Sequence, residues 1–563
     1  MSCNQTLKKA MNHQLRPIQT ALLALALISC TGRTAVFHSF AYEPGGSQAC
    51  ETDGRHVYAN PILPGFYPDP SVCRRDSDFY LVCSSFAYYP GIPIFRSRNL
   101  ADWQQIGHVL DSPAKLNLDG IRLSGGIYAP TIRYNPANGM FYVITTLVDG
   151  GGNFFVKTDD PAKGWSDPIW LPDVGGIDPS FFFADNGDAY IVHNDAPQGT
   201  PRYDGHRAIR MHRFDVERDC TVGDSWVIVD GGTDLRPEPI WIEGPHIYQI
   251  GDRFYLLAAE GGTGSDHSEV AFVSTAAEGP YVQCGVNPIL TQRDLSPYRS
   301  SKVTCTGHAD MVRDTDGSFW AVFLGCRPYV DNLYNTGRET FLLPVSFVAD
   351  GTPVILPQGE PVPMVVAKRN AEARPQARWE ARFDTTALSD RFVTIRTPRT
   401  RWHSLHDGAL RLEPRPVSVA DVDNPSFVGV RQQQACFTAE ASVEFEPDTD
   451  DDFAGLVCFQ NEAAYLAFGI TVVNGRESVV VEKNDGGRRS IEGLMAIDDR
   501  AKGRPLTLRI AGGGAAYSFV LQTPDGPRTV ATTDATHLST DRAGGFVGTV
   551  IGMYASSKHK ARQ

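Results

Sequence analysis

Positive charge is in short supply in this sequence of 563 residues: 52 Lys and Arg stand against 65 Asp and Glu, giving a formal net charge of −13. Such a chain offers no electrostatic footprint for nucleic acid or for an anionic membrane surface. Cysteines at metal-binding spacing are missing too. None of the 11 cysteines falls in a C-x-x-C pair, which excludes a zinc knot. Most sit in apolar, strand-like runs such as Leu81-Val-Cys83 and Leu456-Val-Cys458, as small buried hydrophobes do. An oxidising compartment permits pairs such as Cys73–Cys83 or Cys305–Cys326, but spacing fixes no connectivity. Past Cys30 no apolar run is long enough to cross a bilayer as a helix. There is no G-x-S-x-G elbow, no H-E-x-x-H helix and no Walker loop, and Gly261-Gly-Thr-Gly264 lacks the Lys-Ser/Thr of a phosphate cradle. What survives these exclusions is an acidic protein suited to a neutral substrate.

What is plentiful is turn-forming and aromatic residues. Gly 53 and Pro 38, with 10% aromatics and 42% hydrophobic residues, describe a turn-rich β protein with ample core. At the start, Lys8, Lys9 and Arg16 precede the apolar run 21–29 and then Cys30. This is the pattern of an export signal, and Leu27-Ile-Ser-Cys30 resembles a bacterial lipobox. Residues 1–30 are therefore expected to be a signal peptide, with export to the periplasm, to the outer membrane as a lipoprotein attached through Cys30, or to the medium. An ordinary secretory signal that happens to carry a Cys is the alternative. Residues 31–55 are expected to be a spacer.

Internal repetition sets the architecture. A turn followed by an aromatic and an apolar strand occurs at Asp76-Ser-Asp-Phe-Tyr80, Asn138-Gly-Met-Phe-Tyr142, Asn186-Gly-Asp-Ala-Tyr190, Gly251-Asp-Arg-Phe-Tyr255 and Asp316-Gly-Ser-Phe-Trp320. These are hairpin signals, and their anchors are 62, 48, 65 and 65 residues apart. That interval suits a blade of about four strands, so residues 56–350 are expected to form a five-bladed β-propeller. Eleven to 13 residues before each anchor lies a short segment opening the preceding strand: Tyr67-Pro-Asp69, Tyr128-Ala129-Pro, Ile177-Asp178-Pro, Ile242-Glu243-Gly and Gly307-His308-Ala. First strands of propeller blades line the axis, so Asp69, Ala129, Asp178, Glu243 and His308 are expected to converge at one mouth. A lone Asp-Pro is usually a turn. Three carboxylates and an imidazole at matched positions are poor packing, because clustered carboxylates repel and raise one another's pKa.

Paired carboxylates across a pocket are the working parts of glycoside hydrolysis, one activating water or attacking and one protonating the leaving oxygen. Gly65-Phe-Tyr-Pro-Asp69-Pro-Ser71, Gly125-Gly-Ile-Tyr-Ala-Pro130, Gly176-Ile-Asp178-Pro-Ser180, Glu243-Gly-Pro-His246 and Gly337-Arg-Glu-Thr340 together resemble glycoside hydrolase family 43. Within it the chain looks like the two-domain β-xylosidases and α-L-arabinofuranosidases. The resemblance implies an inverting enzyme with Asp69 as general base, Glu243 as general acid and Asp178 as the residue that raises and orients the acid. It implies that Arg338 donates to sugar hydroxyls, that Phe86 and Thr263 line the sugar pocket, and that His308 matches an axial histidine that in some members holds calcium. No cofactor is required otherwise. Tyr128 departs from the Trp usual in close xylosidase relatives, which leaves the choice of pentose open.

Residues 351–375, rich in Pro and Gly, are expected to be a linker. Short alternating strands from Trp379 onward, among them Ala454–Phe459 and Tyr465–Val472, predict a β-sandwich over 376–556. Gly455-Leu-Val-Cys-Phe-Gln-Asn-Glu462 and Gly545-Phe-Val-Gly548 resemble the jelly-roll, concanavalin-like domain that accompanies this family. The resemblance makes Phe546 the candidate for a contact reaching from the sandwich to the pocket. The expected activity is release of D-xylose from non-reducing ends of xylo-oligosaccharides. An α-L-arabinofuranosidase acting on arabinoxylan or arabinan fragments is the alternative, and a non-catalytic glycan-binding lipoprotein is the rival of another class.

Overall fold

The computed structural model describes residues 34–45, 56–233, 238–299, 302–371 and 377–558. The charged and apolar leader, with the lipobox-like Cys30, lies outside the described residues.

Five antiparallel sheets follow one another along the first part of the chain. Their first strands are Ser71–Arg75, Gly126–Asn135, Ile177–Phe183, Glu243–Ile250 and Thr304–Arg313. Each pairs with the next strand through one of the hairpins read from the sequence. Every one of those turns needs a left-handed residue, supplied by Asp76 in the first and by Gly139, Gly187, Gly251 and Gly317 in the others. The first strands lie against each other in order, and the fifth returns to the first. This closed ring is the axis of the propeller. Between sheets the packing is aromatic: Phe155 of the second sheet meets Phe181 of the third edge to face at 5.4 Å. Burying each such ring contributes roughly 1.5–3 kcal/mol.

Two boundaries need correction. The linker expected over 351–375 belongs largely to the propeller. Pro353–Val354 is the outer strand of the fifth sheet, and Val365–Ala367 pairs with Val57–Ala59, lacing the two ends of the ring together. The spacer expected over 31–55 contains a ten-residue strand, Ala35–Pro44, built into the C-terminal sandwich between Ala409–Leu412 and Cys436–Glu444. Its side chains Phe37, Phe40 and Tyr42 are buried in the sandwich core. A bulge between Phe37 and Ser39 breaks its alternation, so the inward residues are not two apart throughout.

The sandwich itself has one sheet built around Ala35–Pro44 and a second, six-stranded sheet. Their facing sides bury Leu456, Phe468, Phe519 and Met553 in a common core. The outer side of the second sheet, with Phe427, Phe459 and Val550, packs on propeller residues Phe66, Tyr88 and Phe86 in one continuous apolar cluster. The short strand Thr394–Ile395 also pairs with Tyr88–Tyr89. The two domains are therefore joined by core packing.

Candidate active site

The axial mouth is built from a repeated backbone irregularity. In the second to fifth sheets the register between first and second strand slips at Tyr128/Thr131, Ile177/Ser180, Glu243/His246 and Gly307/Asp310. Within each slip one residue takes a left-handed conformation: Ala129 at φ 32°, Asp178 at 55°, Gly244 at 56° and His308 at 53°. Asp69, just before the first strand of the first sheet, does the same at 52°. Non-glycine residues held there cost about 1–3 kcal/mol each and mark sites where the backbone aims a side chain.

This corrects one expectation. The matched residue in the fourth sheet is Gly244, and Glu243 stands one place ahead of it. The cause is steric: a Cβ on Gly244 would lie 2.8 Å from His308 Nε2. Glu243 still reaches the same site. Donor atoms of Asp178, Glu243 and His308 lie within 4.8 Å of one another, and the Gly244 amide donates to Asp178 Oδ2 at 3.2 Å.

The three carboxyls have unlike surroundings. Asp69 is buried, which by itself would raise its pKa, but the Arg338 charge, His308 and a hydrogen bond from Ser84 hold it below its ordinary value. Arg338 Nη1 donates to Asp69 Oδ1 at 3.0 Å, and Ser84 Oγ donates to Oδ2 at 2.6 Å. Glu243 is raised to about 7, by burial first and then by the Asp69 charge. The Arg338 and Arg207 charges and a hydrogen bond from Trp241 oppose that rise. Asp178 is pushed well above the usual carboxylate range by burial, then by Glu243 and Asp69. Near neutrality the site thus holds one ionised carboxylate beside a pair that retains protons. His308 is kept neutral by burial.

The walls come from both domains. Phe86 and Phe546 stack with ring centroids 6.2 Å apart, and Tyr128 meets both edgewise at 5.5 and 5.8 Å. The Arg338 guanidinium sits 5.8 Å from the Phe86 ring and 5.3 Å from the Phe546 ring, and donates to Thr263 Oγ1 at 2.9 Å. Phe546 is held by its amide donating to Ser124 Oγ at 3.0 Å. Thus Phe546, Phe86, Tyr128, Thr263 and Arg338 lie together. Ala129 contributes backbone, its amide donating to Ser84 Oγ at 2.7 Å.

Sequence reasoning missed the supports. Ser84 links Asp69 to the second sheet. Trp241, at φ 58°, bonds Glu243 and lies under the Arg207 guanidinium at 4.8 Å. Two residues past each bulge lies a second polar tier. Asp310 accepts from Arg133 Nη1 at 2.7 Å and Nη2 at 3.0 Å, from Ser71 Oγ at 2.6 Å and from Tyr248 Oη at 2.6 Å. Arg133 Nη2 lies 2.8 Å from His246 Nδ1, which lies 3.1 Å from Ser180 Oγ. All five sheets therefore contribute to one buried network across the axis. The Ser, Ser, His and Asp that close the four polar motifs were its signal.

One imidazole and two carboxylates meet at His308 among the described residues; a calcium ion there would draw most of its roughly six to eight ligands from water. Both carboxylates also belong to the reacting set.

Comparison with known proteins places this geometry. A family model described as glycosyl hydrolases family 43 matches residues 58–353, and one described as the beta xylosidase C-terminal concanavalin A-like domain matches 380–563. A xylosidase/arabinosidase of Butyrivibrio fibrisolvens is 38% identical over 516 residues, covering 89% of this chain and 96% of that relative. The non-reducing end alpha-L-arabinofuranosidase BoGH43B of Bacteroides ovatus is 36% identical, covering 90% of this chain and 92% of its own. A crystal structure of a GH43_12 protein retrieved from a capybara gut metagenome superposes with a TM-score of 0.86 at 37% identity, covering 93% of this chain and all (100%) of that one.

Proposed function

Since the chain belongs to glycosyl hydrolase family 43, we propose that it is an inverting exo-glycosidase releasing D-xylose from the non-reducing ends of xylo-oligosaccharides. The observation that carries this reading is the split between Asp69, held ionised, and Glu243, raised to about 7. Asp69 takes a proton from water as the water oxygen bonds the anomeric carbon. Glu243 gives its proton to the glycosidic oxygen as the bond to the leaving sugar breaks. Asp178 accepts the Gly244 amide and, itself pushed upward by burial and by the Glu243 and Asp69 charges, acts on the acid through position. Arg338 has one nitrogen committed to Asp69 and Thr263, and its fork turns the remaining donors to sugar hydroxyls. The Phe86, Tyr128 and Phe546 rings supply apolar faces for one pentose.

The α-L-arabinofuranosidase reading uses the same carboxylates. It is supported by the printed names of relatives that pair the two activities or give arabinofuranosidase alone, while Tyr128, whose hydroxyl donates to the Ser124 carbonyl, leaves the choice of pentose open. Aryl β-D-xyloside and aryl α-L-arabinofuranoside, assayed side by side with Asp69→Ala as control, decide between them. A dominant xyloside rate that dies in the control supports the first reading, and a dominant arabinofuranoside rate moves the substrate. Silence on both leaves the non-catalytic glycan binder. The charged-then-apolar leader supports export, with attachment through Cys30, which fatty-acid labelling of the wild type against Cys30→Ala would test.

A further inference from the structure

One buried carboxyl close to the axis lies outside the network described above. Glu269 is on Ser268–Ser274, the third strand of the fourth sheet, and is 0% exposed. Its Oε2 accepts the Ala309 amide at 2.9 Å, and its Oε1 has no hydrogen-bond partner. An acidic side chain is a costly way to fill an apolar strand, so what this position supplies is the acceptor. His267, two residues earlier, reaches the same neighbour. Its Nδ1 donates to the Cys305 carbonyl at 2.9 Å, and a Cβ on Gly307 would meet its ring at 2.7–2.9 Å. The two side chains thus grip the fifth-sheet segment 305–309 on either side of His308. Cys305 at φ 60° and His308 at φ 53° are both left-handed there, a conformation that such residues keep only where their surroundings impose it.

What the grip positions is the His308 imidazole. Its Nδ1 lies 3.9 Å from Asp69 Oδ1, while Nε2 abuts Gly244, where a Cβ would stand 2.8 Å away. The ring therefore stands between the carboxylate read as the base and the Asp178–Glu243 pair. In an inverting site the two working carboxyls must leave room for one water, and a spacer fixed on the axis keeps them at one separation. We propose that Glu269 is a positioning residue for the hydrolysis, acting through the fifth-sheet bulge to hold His308 between base and acid, with His267 as the second point of hold. This rests on the roles proposed for Asp69 and Glu243.

The test is a double-mutant cycle on Glu269 and His308 in the full chain. Both kcat and KM are read on the better of the two aryl glycosides, well below the unfolding temperature of each variant. Glu269→Leu keeps the bulk and removes the acceptor. It should lower kcat about ten- to a hundredfold, the scale of a small misplacement at a reacting centre, with KM nearly unchanged because Phe86, Tyr128 and Arg338 still hold the sugar. Glu269→Gln retains a carbonyl oxygen for the Ala309 amide and should restore most of the rate. In a His308→Ala background the Leu exchange should cost little further, since the group it positions is gone. Should Glu269→Leu fail to fold, Glu269→Asp, whose carboxyl is drawn back by one methylene, takes its place in the cycle. Full additivity with His308→Ala, wild-type turnover in either single variant, or a Gln variant as slow as Leu would each overturn the proposal. Asp69→Ala keeps the two readings apart. An active Asp69→Ala removes the base assignment, whereas an inactive one beside an additive cycle removes only the role of Glu269.

Discussion

Arg338 and Asp69, 269 residues apart in the chain, form a buried ion pair at 3.0 Å on the propeller axis. Its consequence is electrostatic. Burial favours the neutral form of Asp69, and Arg338 is the largest of the groups opposing it. In Arg338→Met the carboxylate stays buried without that charge, so its pKa must rise. The acidic limb of the kcat/KM profile is expected to move to higher pH, with a fall in rate at the optimum. An unmoved acidic limb would remove Asp69 from the base role.

Glu243 sets the other limb. With its pKa near 7, the free enzyme loses its acid as pH climbs past neutrality, and kcat/KM should decline there. Glu243→Gln should erase that alkaline limb. Glu243→Ala should slow xylo-oligosaccharides by about 100-fold or more while sparing aryl glycosides with good leaving groups, since general acid help is worth roughly that much. Equal losses on both substrates would contradict the assignment.

Gly244 is the tightest point of the mouth. An alanine there meets the His308 imidazole at 2.8–3.0 Å and must hold a left-handed φ of 56°. Gly244→Ala is expected to cost about 1–3 kcal/mol of stability and to depress kcat, read by thermal unfolding and by turnover on an aryl glycoside. A variant as stable and active as the wild type would show that the close approach is not binding.

The axial network beneath the site should make stability sensitive to acid. Burial alone would raise Asp310, but Arg133 and His246 outweigh it and hold its carboxyl far below the usual range. A carboxylate depressed in the folded state stabilises at pH above its unfolded value, and that contribution drains away as pH falls toward the folded value. Asp310→Asn should therefore lose roughly 3–5 kcal/mol at neutral pH, because Arg133 stays buried without its counter-ion. It should also show a flatter stability curve below about pH 4. Denaturant titrations at several pH values check both.

Phe546 tests whether the sandwich takes part in the reaction. It stacks on Phe86 and contacts Tyr128 from another domain. Phe546→Ala should lower kcat/KM by about ten- to a hundredfold, equivalent to roughly 1.4–2.8 kcal/mol, mostly through KM, without changing the positions of the pH limbs. A shift in either limb would mean that the ring acts on the carboxylates.

Much of this was readable because it is local. A turn such as Asn186-Gly187 with Tyr190 behind it carries its hairpin within ten residues, so the propeller sheets and Asp69, Asp178 and Glu243 could be located from short motifs. Three things were hidden, each because it depends on distant partners. The bulge that puts Gly244 in place of Glu243 at the matched position is a matter of clearance from His308, more than 60 residues away. The Arg133–Asp310 pairing joins the second sheet to the fifth, 177 residues apart. The strand Ala35–Pro44 meets its neighbour about 400 residues later, as His38 with Glu444 shows at a separation of 406, and its own bulge blurs the alternation that would have revealed it.

That N-terminal strand makes the propeller an insertion within the sandwich. Ala35–Pro44 is synthesised before every blade, whereas its partner Cys436–Glu444 follows all of them, so the strand's place between its neighbours is open until the chain is nearly complete. A cut placed before residue 56 to isolate the catalytic half, or after 375 to isolate the other, would in either case remove the strand from its sheet. Two complementary halves expressed separately should come together only if the N-terminal fragment keeps this strand, which then serves as the clasp between them.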